Sequence, residues 1–147
     1  MKTANFINTP SYCLLHQLIP SLTVEQRGVF DDIMKVVQQK KGRVFFVYVM
    51  VVPGKLFHYS TTIRSEGEIV LNVASSGIVS LLLTGGRISH SRFKIPYNLN
   101  EDSVCSIKSD SDLAKLLKAT TLIIWDEAPM IHKHGFEALE RSLKGIY

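Results

Sequence analysis

Cysteine is scarce. Only Cys13 and Cys105 occur in 147 residues, too few for a disulfide framework and wrongly spaced for zinc. Reduced thiols are the expectation, consistent with the cytosol or nucleus. No apolar run reaches the ~20 residues that a membrane span requires, so no membrane partner is expected. The first residues also lack the unbroken apolar core of a secretory signal, because Asn5, Asn8, Pro10 and His16 interrupt it. Charge of one sign is weak too: a net +4 permits a nucleic-acid partner without demanding one. The remaining composition, 46% hydrophobic and 20% charged, describes a globular chain rather than a disordered one. The length suffices for one domain with a real core.

Residues 1–20 read as an irregular lead-in. Thr23 then caps a helix whose Val29, Phe30, Ile33, Val36 and Val37 form one core-facing stripe. Gln26 lies in its first turn, where a helix-end polar role suffices. Gln38 to Gly42 stop the helix. Val44 to Val52 are β-branched, aromatic or otherwise apolar throughout, which predicts a buried strand. Pro53-Gly54-Lys55 follows, and then a helix over Leu56 to Ile63. Strand, Gly-Lys and helix are the setting of a phosphate loop, whose pattern is G-x-x-x-x-G-K-[ST]. The pattern's first glycine is absent here, with Val49 in its place, and Leu56 stands where the Mg²⁺-binding hydroxyl belongs.

After a turn at Ser65 to Glu68, Ile69 to Ala74 predicts a second buried strand, Ser75-Ser76-Gly77 a small polar loop, and Ile78 to Leu83 a short helix. The repeated strand–loop–helix order points to an α/β fold with a parallel sheet. Ser75 and Ser76 offer hydroxyls and amides that can either cap the helix or hold an anion. Arg87, His90, Arg92, Phe93 and Lys94 combine charge with an aromatic ring, a mixture suited to single-stranded nucleic acid. The competing reading is a solvated loop with Phe93 and Ile95 in the core. Tyr97 to Ser111 reads as a polar excursion. Ser111 or Asp112 then caps a helix ending at Lys118. His132 and His134 read as surface residues, with no third metal ligand nearby.

Leu122-Ile123-Ile124-Trp125-Asp126-Glu127 is an apolar run that ends in two carboxylates. It predicts a fully buried strand with both acids at its carboxyl end, where open α/β sheets place ligands. Alternating side chains give the two acids different directions. One can face Mg²⁺ and the other a water, as a nucleotide hydrolase needs.

Taken in order, several stretches resemble one family. They are Leu22 to Arg27, Val44 to Tyr48 with Gly54-Lys55, Asn72 to Ile78, Gly85-Gly86-Arg87 with His90 to Pro96, and Leu122 to Met130. Residues 21–147 look like the first part of motor domain 1A of the Pif-type DNA helicases, most similar to the plant, Helitron-associated branch. The resemblance implies a P-loop NTPase (RecA-like) three-layer α/β fold with flanking helices, present only in part. It also implies an ATP- and Mg²⁺-dependent 5′-to-3′ helicase acting on single-stranded DNA. Such enzymes serve repair, recombination and telomere maintenance, which implies the nucleus, with the mitochondrion as second compartment. By the same resemblance Gln26 reads adenine, Gly54 and Lys55 hold phosphate, Asp126 serves Mg²⁺ and Glu127 is catalytic. Ser75, Ser76, His90 and Arg92 line the DNA path.

Val49 and Leu56 depart from the family's loop, and the helix after it is about one turn short. The later motifs are absent, including an arginine finger worth ~10³ to 10⁵ in rate in related hydrolases. The expectation is a truncated form with a degenerate phosphate loop that does not unwind DNA alone. The alternative is a non-catalytic remnant that binds nucleic acid or a helicase partner.

Overall fold

A computed structural model describes residues 23–39, 42–45, 47 and 54–147, with the side chains of 26 and 54–58 excepted. The lead-in over residues 1–20 and the loop positions 49–53 lie outside the described residues. The chain divides into two compact units, Met1–Val70 and Leu71–Tyr147.

In the first unit, α1 spans Val24–Gln38. Its first backbone bond runs from the Arg27 N–H to the Thr23 carbonyl at 2.9 Å. Glu25 in the first turn and Lys35 in the last complement the helix dipole. Phe30, Ile33 and Met34 are buried, so the apolar stripe centres on the 30/33/34 triplet, with Val29, Val36 and Val37 half-buried beside it. Phe30 and Tyr59 rings meet at 5.1 Å. The strand expected over Val44 to Val52 lies mostly outside the described residues, which include only its positions 44, 45 and 47. Residues 42–45 and 47 form no regular element, and Val44 is 78% exposed.

Helix α2, Gly54–Ser65, begins at the Gly-Lys pair and outruns the expected Leu56–Ile63 at both ends. Ile63 is completely buried. Gly67, at φ 82°, reverses the chain. The Arg64 guanidinium ties the turn by donating to the Val70 carbonyl at 3.1 Å.

Among the described residues the sheet has three strands in the order β2-β1-β3: β1 is Ile69–Ala74, β2 Arg87–Ile88 and β3 Thr120–Asp126. It is parallel, with Val73 opposite Arg87 and Ala74 opposite Ile88. β1 is buried from Val70 onward, as its largely apolar run predicts. Asn72, the one polar residue in that run, is satisfied by donating to the Thr84 carbonyl at 3.0 Å. β3 is less covered than its sequence suggests. Only Ile124 is buried; among the described residues β3 has a strand on one side only.

Helix α3 spans Gly77–Leu82 and α4 Ser89–Phe93. Gly86 sits in the turn between them, where an added Cβ would lie 2.3 Å from the Ser80 carbonyl oxygen. Helix α5, Asp112–Lys118, is capped by Ser111 Oγ, which accepts from the Ala114 N–H. Helix α6 spans Lys133–Ile146. The core joins Leu71 and Val73 of β1, Phe93 and Ile95, Leu117 of α5, and Ala138, Leu139 and Ile146 of α6.

The excursion between Pro96 and Ser111 is tied down. Arg141 donates twice to the Ser103 carbonyl, at 3.1 and 2.8 Å, and Ser142 Oγ accepts from the Cys105 N–H at 2.8 Å. An α/β unit with a small parallel sheet flanked by helices is consistent with an incomplete P-loop NTPase fold.

Candidate functional site

The carboxylate pair sits where the sequence places it, at the carboxyl end of β3, but a different device separates its members. Asp126 is the last strand residue. Glu127 has left the strand for the left-handed region, at φ 54° and ψ 30°. That conformation costs a non-glycine residue about 1–2 kcal/mol, and such strain clusters at functional sites. Pro129 stands at the start of the short 3₁₀ turn Ala128–Met130, closed by the Met130 N–H donating to the Glu127 carbonyl at 3.0 Å. A turn, and not the pleat of a strand, thus points the two acids apart.

Two contacts from the segment after β1 hold Glu127 in place, and a third holds Asp126 beside it. The Ser75 N–H donates to the Asp126 carbonyl at 3.2 Å, extending the β1–β3 ladder by one bond. Ser75 Oγ donates to the Glu127 carbonyl at 2.7 Å and accepts from Trp125 Nε1 at 3.2 Å. The Ser76 N–H donates to Glu127 Oε2 at 3.1 Å. The anion at this amide is therefore the chain's own carboxylate, and the bond is charge-assisted. Ser76 Oγ caps α3 by accepting from the Val79 N–H at 3.3 Å. Asp126 Oδ1 accepts from the Glu127 N–H at 2.8 Å. Asp126 Oδ2 and Glu127 Oε1 have no hydrogen bond among the described residues, leaving one hard oxygen on each acid for a ligand. An aromatic wall backs the site: Trp125 lies 5.4 Å from Phe93 and 4.9 Å from Phe136, ring to ring.

The basic segment folds as α4, not as a loop. Phe93 is fully buried and Ile95 nearly so, which removes Phe93 as a stacking ring. The physical reason is packing: Phe93 meets Trp125 in the core. Lys94, at φ 54°, ends the helix in the left-handed conformation, and the Ile95 N–H reaches back to the His90 carbonyl at 3.1 Å. This reversal brings Tyr97 onto the His90 ring at 5.7 Å and 15°. Tyr97 had no separate signal in the sequence, where it reads as the start of a polar stretch. Arg92 is half-buried, and its Nε is enclosed without a partner. Burial, and secondly the Arg87 charge, push its guanidinium below the usual range.

Gln26 is on the first turn of α1. Gly54 and Lys55 are the first two residues of α2, so the Gly-Lys pair does open a helix. The side chains of Gln26 and Lys55 lie outside the described residues, as does Val49. His132 is exposed; His134 pairs with Glu137 at 2.7 Å. Among the described residues no group of three His, Cys, Asp or Glu side chains is arranged to hold a metal.

A family model described as PIF1-like helicase matches residues 21–147. A comparison with curated proteins returned no match. The match covers most of the chain and includes the Gly-Lys pair, the Ser75–Ser76 segment and the carboxylate pair, so the chain belongs to the PIF1-like helicase family.

Proposed function

We propose that this chain handles ATP and single-stranded DNA as part of a helicase motor that moves 5′ to 3′. The observation that carries the proposal is the Asp126–Glu127 turn. One oxygen of each acid is fixed by the chain's own amides, and the other is left for a ligand. Asp126 Oδ2 fits a hard cation such as Mg²⁺, and that ion, when bound, supplies charge neutralisation at the β- and γ-phosphates. Glu127, with its carboxylate oriented by the Ser76 amide, keeps Oε1 to position the attacking water. Lys55 and Gly54 contact the phosphates, and Gln26 reads the adenine. His90 and Arg92 serve the DNA, while Ser75 and Ser76 hold Glu127. On family grounds we place the chain in the plant, Helitron-associated branch, acting in repair, recombination and telomere maintenance in the nucleus or mitochondrion.

A second reading has a specific observation behind it. Val49 and Leu56 remove a turn glycine and a Mg²⁺ hydroxyl from the phosphate loop, which fits a remnant that no longer binds nucleotide. Calorimetric titration of MgATP into the chain, with Lys55→Ala as control, decides between them. Saturable binding that the control abolishes supports the motor reading. No binding at millimolar nucleotide by the chain, or by its Val49→Gly/Leu56→Thr variant, refutes it. Recovery in that variant alone assigns the loss to the loop.

A further inference from the structure

We infer that Tyr97, stacked on His90, is a platform for one unpaired base of single-stranded DNA, with Arg92 and Arg87 taking the adjoining phosphate. The inference rests on the nucleic-acid part of the proposed function and adds to it a residue and a mode of contact.

Four observations converge on it. Tyr97 is 89% exposed, yet its ring is held nearly parallel to that of His90. An exposed aromatic ring offers a flat apolar surface that water hydrates poorly and a base covers well. The ring is also positioned by the fold. Phe93 and Ile95 anchor the segment in the core, the Lys94 left-handed residue turns it back, and the Ser106 N–H holds the Lys94 carbonyl at 3.2 Å. The backbone that carries the ring is thus already ordered before a base docks. The third observation is charge. Arg87, Arg92 and Lys94 lie on β2 and α4 or at the helix end, and none joins an ion pair among the described residues. The fourth is Arg92 itself, whose Nε is enclosed without an acceptor while Arg87 repels its charge. A phosphate between the Arg87 and Arg92 guanidinium groups offsets their repulsion and brings its base within reach of the platform.

The test is fluorescence anisotropy of a labelled oligo-dT strand at low salt, with the chain as it stands. Tyr97→Ala should weaken binding roughly 5- to 150-fold, the range for one stacked base. Tyr97→Phe should stay within about two-fold of the parent. Arg92→Ala should lower the salt dependence by about one phosphate. An otherwise identical abasic strand should bind the parent and Tyr97→Ala equally. Equal oligo-dT affinity for the parent and Tyr97→Ala overturns the platform while leaving DNA binding intact, and so does a Tyr97→Ala penalty that persists on the abasic strand. Absence of any strand binding by the parent overturns the platform and the DNA part of the functional reading together. Tyr97 is exposed, so loss of fold does not confound the comparison; circular dichroism of each variant checks this.

Discussion

Ser75→Ala tests the architecture of the carboxylate site most directly. Ser75 Oγ donates to the Glu127 carbonyl at 2.7 Å and accepts from Trp125 Nε1 at 3.2 Å. Each such bond contributes about 1 kcal/mol net. Losing both, with water partly replacing them around half-buried groups, should cost about 2 kcal/mol. For a chain with a urea slope of about 2 kcal/mol/M, the unfolding midpoint falls by about 1 M. Trp125 is the single tryptophan, so one fluorophore reports both effects. Urea titration followed at its emission gives the stability, and the folded-state emission maximum reports the loss of the indole N–H partner. Ser76→Ala is the comparison. Its hydroxyl makes only the 3.3 Å cap to the Val79 N–H, and the Glu127 carboxylate contact is to its backbone. That variant should lose about 0.5–1 kcal/mol without moving the emission. A Ser75→Ala midpoint within about 0.5 kcal/mol of the parent, with unchanged emission, would refute the reasoning.

Two further outcomes follow from the packing. Gly86→Ala places a methyl group 2.3 Å from the Ser80 oxygen and 2.9 Å from the Leu83 oxygen; backbone atoms cannot rotate away, so thermal denaturation should show a loss of about 3 kcal/mol or more. Burial raises the Cys105 thiol, only partly opposed by a hydrogen bond with Ser142. The folded chain therefore keeps that proton longer than the unfolded chain. This contribution is complete below the unfolded value near 9.0 and is lost as pH rises through the folded value. Urea midpoints measured across that interval should fall more steeply in the parent than in Cys105→Ala.

Local physics made much of this legible. Ile69 to Ala74 could be read to the residue, because an apolar run with only Asn72 in it, closed by Ser-Ser-Gly, admits little else. The Ser76 and Ser111 caps fix the starts of α3 and α5. What escaped depends on neighbours distant in sequence. β3 has the apolar content of a buried strand but pairs on one side only among the described residues. Phe93 could equally face solvent or core by composition, and Trp125 decides it. The left-handed Glu127 is invisible locally, since nothing in a glutamate favours that conformation. It is held by Ser75 and Ser76, more than fifty positions upstream. Tyr97 was missed for a similar reason: its partner is seven residues back, across a reversal made by Lys94, a residue with no turn propensity.

The 52-residue separation of Ser75 from Glu127 has a kinetic consequence. Closing a loop of that length costs about 3.5 kcal/mol in chain entropy before any contact repays it. Parallel strands allow no short hairpin by which to nucleate. A peptide spanning β3 and its turn would carry both acids yet lack the contacts that hold Glu127 left-handed. The carboxylate site should therefore form late in folding, with the long-range closure of β1 on β3, and its appearance would mark the slow step of refolding.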